Sequence, residues 1–291
     1  MDTEIQVSVI IPAYNEEAAI VQVVRGVIDV MQPLGIPYEI LVVDDGSTDG
    51  TGVQCQACPQ VRVLRHHANR GTGAARTTGV LAAQGEILVM IDADGTYPVE
   101  AIPQMLQEME RCDMVIGARK QERGTLRLLR SAAKEFIKAL ASYLTRTPIP
   151  DLNSGLRAMR RSKVLEFLPI LPETHSWVST ITMAFLSSHY SVCWIPIEYY
   201  QRIGRSTFHP ITDTYNYLTL VVRAIMYFNP LRVFLPLTLF LFTLGVFKMI
   251  FDIFRFGNFH FPASTVMLVL TSVQVGAIGL LADLIVRRSK L

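Results

Sequence analysis

The stretch that decides the fold is Ile87–Gly95, with the sequence ILVMIDADG, in which an apolar run ends in two carboxylates. The apolar part has the length and composition of a strand that is buried on both faces. Side chains two positions apart in an extended chain point the same way, so Asp92 and Asp94 share a face. Ligands of open α/β sheets bind beyond the carboxyl ends of the strands. The stretch therefore predicts a site with two carboxylates at a sheet edge.

Two carboxylates in this position suit a hard divalent cation. Mg²⁺ and Mn²⁺ prefer oxygen ligands, and Mg²⁺ usually binds through one or two carboxylates together with substrate phosphates. The acidic triplet alone is a common tripeptide, and a strand that ends in a solvated acidic turn would carry the same residues. The prediction of Mg²⁺ or Mn²⁺ held by Asp92 and Asp94 therefore depends on the rest of the chain.

The rest of the chain alternates strands with helices. A buried strand is predicted at Val7–Ile11, and apolar residues at helical spacing from Ile20 to Met31 predict a helix that Asn15 caps. Further strands are predicted at Ile40–Val43, Val61–Leu64, Glu86–Ile91, Asp113–Gly117 and Val192–Ile197, and further helices at Ala75–Ala82 and Val99–Arg111. This order predicts a mostly parallel, doubly wound α/β sheet.

Composition narrows the class of protein. The 291 residues carry a net charge of +2, which does not suggest binding to nucleic acid. The mean hydropathy of +0.32 is high for a soluble protein, and the excess lies in the C-terminal part of the chain. The four cysteines predict neither a disulfide framework nor a zinc site, so a reducing compartment fits better.

The C-terminal part predicts attachment to a membrane. Leu231–Phe251 and Pro262–Val286 are apolar, and each has about the 20 residues needed to cross a bilayer. The distribution of Arg and Lys around them places both termini in the cytoplasm. A basic amphipathic helix at Arg119–Thr145 and an apolar stripe at Ile211–Phe228 are typical of segments on a membrane surface. The alternatives are a surface helix with one buried face and, for the two spans, buried core helices.

Several motifs together resemble family 2 glycosyltransferases of the GT-A fold, specifically the dolichol-phosphate mannose synthase and polyprenyl-phosphate glycosyltransferase group. The matching segments follow the order of the family: Ile11–Glu16, Val43–Thr51, Asp92–Asp94, Gly117–Arg119, Asp151–Arg157 and Arg202–Ser206. The resemblance implies a GT-A domain at 1–210, an interfacial amphipathic helix at 211–229 and a two-span hairpin at 230–291 with a cytoplasmic C-terminus.

The resemblance also implies roles for individual residues. The donor-binding residues would be Pro12, Tyr14, Glu16, Asp44, Asp45, Asp92 and Ala93, and the metal on the donor diphosphate would bind to Asp92 and Asp94. The catalytic residues would be Asp94, Asp151, Arg119 and Arg202, with Asp151 a candidate base or orienting group; the alternative is a loop acid that caps a backbone amide. The acceptor phosphate would be contacted by Ser154, Arg157, Arg205 and Ser206.

Two positions depart from the pattern of the family. Gly95 and Thr96 follow the acidic triplet, where many members carry Leu-Gln, and the Gln helps at the metal. Thr207 stands where many members have a Lys, and this change removes an expected phosphate contact. Arg205 would be a substitute, although Arg and Lys differ in reach and geometry.

The implied reaction is inverting transfer of a hexose from a nucleotide sugar, UDP-hexose or GDP-mannose, to a polyprenyl phosphate such as dolichyl or undecaprenyl phosphate. The partners would be these two substrates and the membrane, with the catalytic domain in the cytoplasm; a homo-oligomer is left open. One alternative is a processive polysaccharide synthase, but Gln201-Arg202 is not followed by the Trp of the usual Gln-x-x-Arg-Trp motif. Another is a non-catalytic membrane scaffold, against which the intact set of acidic residues argues.

Overall fold

The computed structural model describes residues 4–58, 60–120, 142, 147–174, 176–203, 230–256 and 262–288. The chain divides into two compact units, Met1–Val221 and Val222–Leu291. The predicted surface segments Arg119–Thr145 and Ile211–Phe228 fall almost wholly outside the described residues, as do Arg205 and Ser206.

The first unit is built from strands and helices in alternation. The strands are β1 (Val7–Ala13), β2 (Tyr38–Asp44), β3 (Val61–Arg65), β4 (Ile87–Met90), β5 (Met114–Arg119), β6 (Arg157–Arg160) and β7 (Val192–Ile197). The helices are α1 (Ile20–Met31), α2 (Thr51–Gln56), α3 (Thr72–Ala82), α4 (Ile102–Glu108), α5 (Arg161–Phe167) and α6 (Trp177–Ser187). Short 3₁₀ turns lie at Gln32–Leu34, Val99–Ala101 and Leu168–Ile170.

One sheet with the order β3-β2-β1-β4-β6-β5-β7 carries the site. All pairings are parallel except those of β6, which runs antiparallel to β4 and β5, so the predicted mostly parallel α/β sheet is confirmed. In the register of the sheet, Arg157 at the start of β6 lies opposite Met90 near the end of β4. The loop before β6 therefore reaches the same edge as the acidic residues after β4.

The core lies on both faces of this sheet. Every residue of β1 is buried, as expected for a central strand covered by helices on both sides. Val9 and Ile11 face the cluster formed with α1 and α4, whereas Ile10 faces the cluster formed with α3 and α6. Trp177 on α6 is fully buried and belongs to the second of these clusters.

The predicted cap of the first helix is wrong. Helix α1 begins at Ile20, and Asn15 has a φ of +54°. Its side-chain oxygen accepts a hydrogen bond from the backbone N–H of Thr48 at 2.8 Å. Asn15 therefore ties the loop after β1 to the loop after β2, because a short amide can reach a neighbouring loop as readily as its own helix.

The sequence predicted no disulfide framework, but the described residues include one disulfide bond. Cys112, just before β5, is bonded to Cys193 in β7, 81 residues later in the sequence. Parallel pairing aligns Val115 with Cys193, and the Cα atoms of the two bonded cysteines lie 6.1 Å apart. Cys55 and Cys58 are free.

The second unit contains two long apolar helices, α7 (Leu231–Phe256) and α8 (Ala263–Arg288). Both are long and apolar enough to cross a membrane, and only 6 % and 17 % of their most apolar windows are buried. This exposure disfavours the alternative of two buried core helices. Close contacts at Gly245 and Gly279 join the helices, and Asp252 on α7 accepts hydrogen bonds from Lys248 and from Thr265 of α8.

Candidate active site

A cluster of charged residues lies beyond the carboxyl ends of β1 and β4. Glu16 follows β1, and Asp92 and Asp94 follow β4. Arg202, which follows β7, donates from Nη2 to Oε1 of Glu16, and its Nε lies 3.7 Å from Oδ2 of Asp94. The fold thus brings three of the predicted carboxylates together with one of the predicted arginines.

The turn after β4 holds Asp94 in a fixed direction. Oδ1 of Asp94 accepts hydrogen bonds from the backbone N–H of Thr96 at 3.1 Å and from its hydroxyl at 2.6 Å. Gly95 has a φ of +72°, a conformation that favours glycine over other residues. Gly95 and Thr96, which depart from the family pattern, therefore form a compact turn that supports Asp94.

The segment after β7 is fastened to this turn through the backbone. The N–H of Tyr200 donates to the carbonyl of Thr96 at 2.9 Å, and the N–H of Ile203 donates to the carbonyl of Asp94 at 3.1 Å. Arg202 lies between these two hydrogen bonds. Its position beside Glu16 and Asp94 therefore follows from backbone pairing.

The cluster concentrates negative charge in a partly buried place. Burial raises the pKa of Glu16 to about 7; the guanidinium of Arg202 opposes this rise, whereas the charge of Asp94 adds to it. Burial and the neighbouring charge of Asp92 also raise the pKa of Asp94. A bound cation would relieve this repulsion, and the oxygen ligands are those that Mg²⁺ and Mn²⁺ prefer. The residues present therefore fit a divalent cation.

Asp92 has a partner that the sequence did not reveal. Nη2 of Arg76, on α3, donates to Oδ1 of Asp92 at 2.7 Å, and Arg76 is only 4 % exposed. A lone arginine in a helix usually lies on the surface, and only the small residues around it, Gly73, Ala74, Ala75 and Gly79, indicate a face packed against the sheet.

The predicted donor-binding acids at the end of β2, Asp44 and Asp45, have different surroundings. Oδ1 of Asp44 accepts from the N–H of Ser47 at 2.8 Å, and its Oδ2, 3.3 Å from Nε of Arg65, has no hydrogen bond within the described residues. Asp45 instead accepts from the N–H groups of Arg70 and Gly71. Asp44 is therefore fully buried beside Arg65, whereas Asp45 fixes the loop before α3.

His66, in the loop directly after β3, also contacts Asp45. Its side chain is 8 % exposed, with Nδ1 2.6 Å from Oδ1 of Asp45 and Nε2 2.9 Å from the hydroxyl of Thr78. The remaining predicted donor residues line the same edge: Pro12 and Ala93 are buried, and Tyr14 is half-buried.

Asp151 and Arg119 form a buried ion pair at the end of β5. Oδ2 of Asp151 accepts from Nε of Arg119 at 2.7 Å, and Oδ1 accepts from Nη2 at 2.9 Å. Burial alone would raise the pKa of Asp151, but the hydrogen bonds and charge of Arg119 outweigh it and leave the pKa below the usual value. Because such a carboxylate is a weak proton acceptor, the geometry favours an orienting role over that of a base.

The prediction that Arg157 and Ser154 contact the acceptor phosphate is not supported by where they lie. Arg157 is fully buried, and its guanidinium donates to the carbonyls of Ser154 and Val178 and to the hydroxyl of Thr182. Burial lowers its pKa to about 9. Ser154 is also fully buried. The two residues anchor the loop before β6 to α6, because the carbonyl and hydroxyl groups of that helix satisfy the guanidinium.

The family model described as Glycosyl transferase family 2 matches residues 8–168, which include β1 to β6 and the acidic turn. The model described as GtrB C-terminal hairpin matches residues 229–287, which include α7 and α8.

Individual relatives agree with these matches. The chain is 33 % identical over 174 residues to an uncharacterized glycosyltransferase of Synechocystis sp., covering 58 % of this chain and 54 % of that protein. It is 31 % identical over 183 residues to the undecaprenyl-phosphate 4-deoxy-4-formamido-L-arabinose transferase of Photorhabdus laumondii, covering 58 % and 56 %. The chain therefore matches little more than half the length of these curated relatives.

The fold is shared with glucosyl-3-phosphoglycerate synthase from Mycobacterium tuberculosis. Its complex with phosphoglyceric acid has a TM-score of 0.58 at 23 % identity and covers 76 % of this chain and 80 % of that one. Its complex with Mn²⁺, UDP-glucose and phosphoglyceric acid has a TM-score of 0.57 at 21 % identity and covers 76 % and 79 %. Since the family model spans more than half of the residues and contains the acidic turn, the chain belongs to glycosyl transferase family 2.

Proposed function

We propose that the protein transfers a hexose from a nucleotide sugar, UDP-hexose or GDP-mannose, to a polyprenyl phosphate at the cytoplasmic face of a membrane. The observation that carries this proposal is the presence, in one chain, of the cluster of Glu16, Asp92, Asp94 and Arg202 and of two helices suited to span a bilayer. A relative of known name acts on undecaprenyl phosphate, which supports a lipid phosphate as the acceptor.

On the donor side, Asp44, which is buried at the end of β2 with its Oδ2 beside Arg65, would accept a hydrogen bond from the nucleotide base. Asp94 and Glu16 would hold Mg²⁺ or Mn²⁺, which when bound stabilises the negative charge on the leaving diphosphate. Thr96 keeps Asp94 directed through two hydrogen bonds, so little reorganisation of that carboxylate is needed.

On the acceptor side, the attacking oxygen belongs to a phosphate monoester, whose second pKa is about 6. It is already anionic near neutral pH, so the site needs cations to hold the phosphate more than it needs a strong base. Arg202 would hold the phosphate, and Asp151, hydrogen-bonded to Arg119, would orient that arginine instead of accepting a proton. Attack from the face opposite the leaving diphosphate inverts the anomeric configuration.

The test uses the full chain in phospholipid nanodiscs with UDP-glucose or GDP-mannose and a short polyprenyl phosphate. We expect release of nucleoside diphosphate and formation of a lipid-linked sugar, both of which stop on addition of EDTA. A polymeric product would favour the processive synthase, and failure to bind either nucleotide sugar would favour the scaffold. Equally efficient transfer to a water-soluble sugar acceptor would contradict the proposal that the acceptor is a lipid phosphate.

The membrane topology gives a prediction of its own. Residues 252–262 should be exposed outside the cytoplasm and Leu291 inside, because Arg and Lys are concentrated on the other side of the two spans. Cysteine labelling of Asn258→Cys with an impermeant reagent, in a background without other accessible cysteines, checks this. Protection at position 258 together with labelling at the C-terminus from outside would reverse the orientation.

A second prediction concerns Asp151→Asn. Removing the carboxylate charge from this buried pair should destabilise the chain by about 3–5 kcal/mol near neutral pH. Because the pKa of Asp151 is lowered on folding, its contribution is present above the ordinary aspartate pKa and is lost as the pH falls through the lower, folded value. Thermal unfolding of both proteins across this range should converge at acidic pH; a constant difference would contradict the pairing.

A further inference from the structure

A buried guanidinium lies directly behind the acidic turn. Arg76 is 4 % exposed, and its single hydrogen bond to a carboxylate in the described structure goes from Nη2 to Oδ1 of Asp92. Its Nε is buried and has no hydrogen-bond partner in the part of the chain that the structure describes. The Asp92 side chain, in contrast, is 30 % exposed and can reach a ligand.

The helix that carries Arg76 is otherwise adapted to lie close to the sheet. A Cβ atom added at Gly79 would lie 2.4 Å from Cγ2 of Ile10, so α3 packs on β1 with almost no intervening side chain. A long charged side chain on this face is costly unless it is paired. The chain nevertheless places one there, and its carboxylate partner belongs to the acidic triplet.

Asp92 is confined on its other side by the loop before β6. A Cβ atom added at Gly155 would lie 2.3 Å from Oδ2 of Asp92, so glycine is required there. The N–H of Gly155 donates to the hydroxyl of Tyr97 at 2.7 Å, which holds the glycine in position. Asp92 is thus fixed between an arginine and a backbone surface, whereas Asp94 is fixed by Thr96 and lies near Arg202.

We propose that Arg76 is a positioning residue for Asp92. It holds one carboxylate oxygen so that the other accepts a hydrogen bond from a hydroxyl group in the sugar part of the donor, while Asp94 and Glu16 serve the cation. This inference rests on the proposed function for the donor class and goes beyond it by adding a residue outside the predicted site. The inference assigns Asp92 to the sugar, whereas the sequence resemblance implied that Asp92 and Asp94 both bind the metal.

The experiment is a double-mutant cycle with binding readouts that need no lipid acceptor. The variants are Arg76→Met, Asp92→Asn, the double variant and Arg76→Lys, with Arg160→Met as the matched control. Arg160 also forms ion pairs, with Glu86 and Asp113, but lies opposite Ile87 at the start of β4, away from the acidic turn. Calorimetry in Mn²⁺ measures Kd for whichever of UDP-glucose and GDP-mannose the wild type binds, and for the corresponding nucleoside diphosphate.

We expect Arg76→Met and Asp92→Asn each to weaken binding of the nucleotide sugar about 10-fold, the range for a hydrogen bond to a charged group. The nucleoside diphosphate should bind within about two-fold of wild type, because the missing contact is to the sugar. The double variant should bind no more weakly than Asp92→Asn alone. Arg76→Lys should recover part of the loss, since it restores charge without the planar fork. Arg160→Met should leave both affinities unchanged.

Three results would overturn the inference. Additive losses in the double variant would show that Arg76 acts independently of Asp92. A lower Tm for Arg76→Met with unchanged nucleotide-sugar affinity would show a purely structural role, and an equal loss for the nucleoside diphosphate would place the contact elsewhere on the donor. A wild type that binds nucleotide sugar but does not modify polyprenyl phosphate would count against the proposed acceptor and not against Arg76.

Discussion

We expect Asp94→Asn to abolish transfer of the sugar while the chain remains folded. Asparagine keeps the shape of the side chain and can still accept the hydrogen bonds from Thr96. It lacks the negative charge that would hold a divalent cation against the donor diphosphate. Loss of one comparable electrostatic contribution lowers kcat by about 10²–10³. Formation of the lipid-linked sugar at saturating substrates measures the rate, and calorimetric titration with Mn²⁺ measures the metal affinity.

The matched control is Asp49→Asn. Asp49 makes the same pair of contacts with Thr51, accepting from its backbone N–H at 3.0 Å and from its hydroxyl at 2.5 Å. It lies after β2 and is not part of the cluster with Glu16 and Arg202, so its replacement tests the effect of weakening such a turn alone. We expect a change of only a few-fold there. Near wild-type turnover in Asp94→Asn, with metal still required, would move the metal site elsewhere.

Arg202→Ala has the second-largest expected effect. The guanidinium is held between Glu16 and Asp94 but remains 32 % exposed, so it can meet a phosphate while staying anchored. Its removal should raise the apparent KM for lipid phosphate or lower kcat, for a combined loss of about 10²-fold in kcat/KM. Nucleotide binding measured by calorimetry should change little. Steady-state kinetics with the lipid phosphate varied at saturating donor separates the two effects.

Lys120→Ala is the control for Arg202. Lys120 pairs with Glu198 close to the same segment, and both side chains are largely exposed. An exposed ion pair of this kind contributes about 0–1 kcal/mol, so activity should remain near that of the wild type. Arg202→Lys should be intermediate, because a lysine keeps the charge but not the planar fork. If Arg202→Ala loses nucleotide affinity and keeps its dependence on lipid, Arg202 belongs to the donor site.

The local patterns of the sequence were sufficient to predict the central strands and the acidic edge. Apolar runs that end in carboxylates indicate buried strands whose carboxyl ends meet, and Asp92, Asp94 and Glu16 do lie together. Strand β6 was not predicted, because Arg157–Arg160 has no apolar run and is stabilised by pairing with β4 and β5. The direction of such a strand depends on distant partners that a local pattern does not contain.

Two buried arginines show the same dependence on distant partners. Arg157 follows a polar stretch, and the resemblance implied that it contacts the acceptor phosphate, but the carbonyl of Val178 and the hydroxyl of Thr182 satisfy its guanidinium in the interior. Arg76 was missed because one charged residue in a helix usually faces solvent. In both cases the decisive partner lies far along the chain or across the sheet, and residue type alone does not reveal burial.

Strand β7 is the last strand to be synthesised and lies at the edge of the sheet beside β5, so the sheet is completed late in synthesis. Strands β1 to β4 can pair as they leave the ribosome, but β5 gains its outer neighbour only after Ile197 has been made. Arg202 follows at once, and the first apolar helix begins at Leu231. At about 5–20 residues per second, these events occur within seconds of one another. A nascent chain therefore has its acidic turn before its arginine, and the two meet only as the first apolar helix is being synthesised.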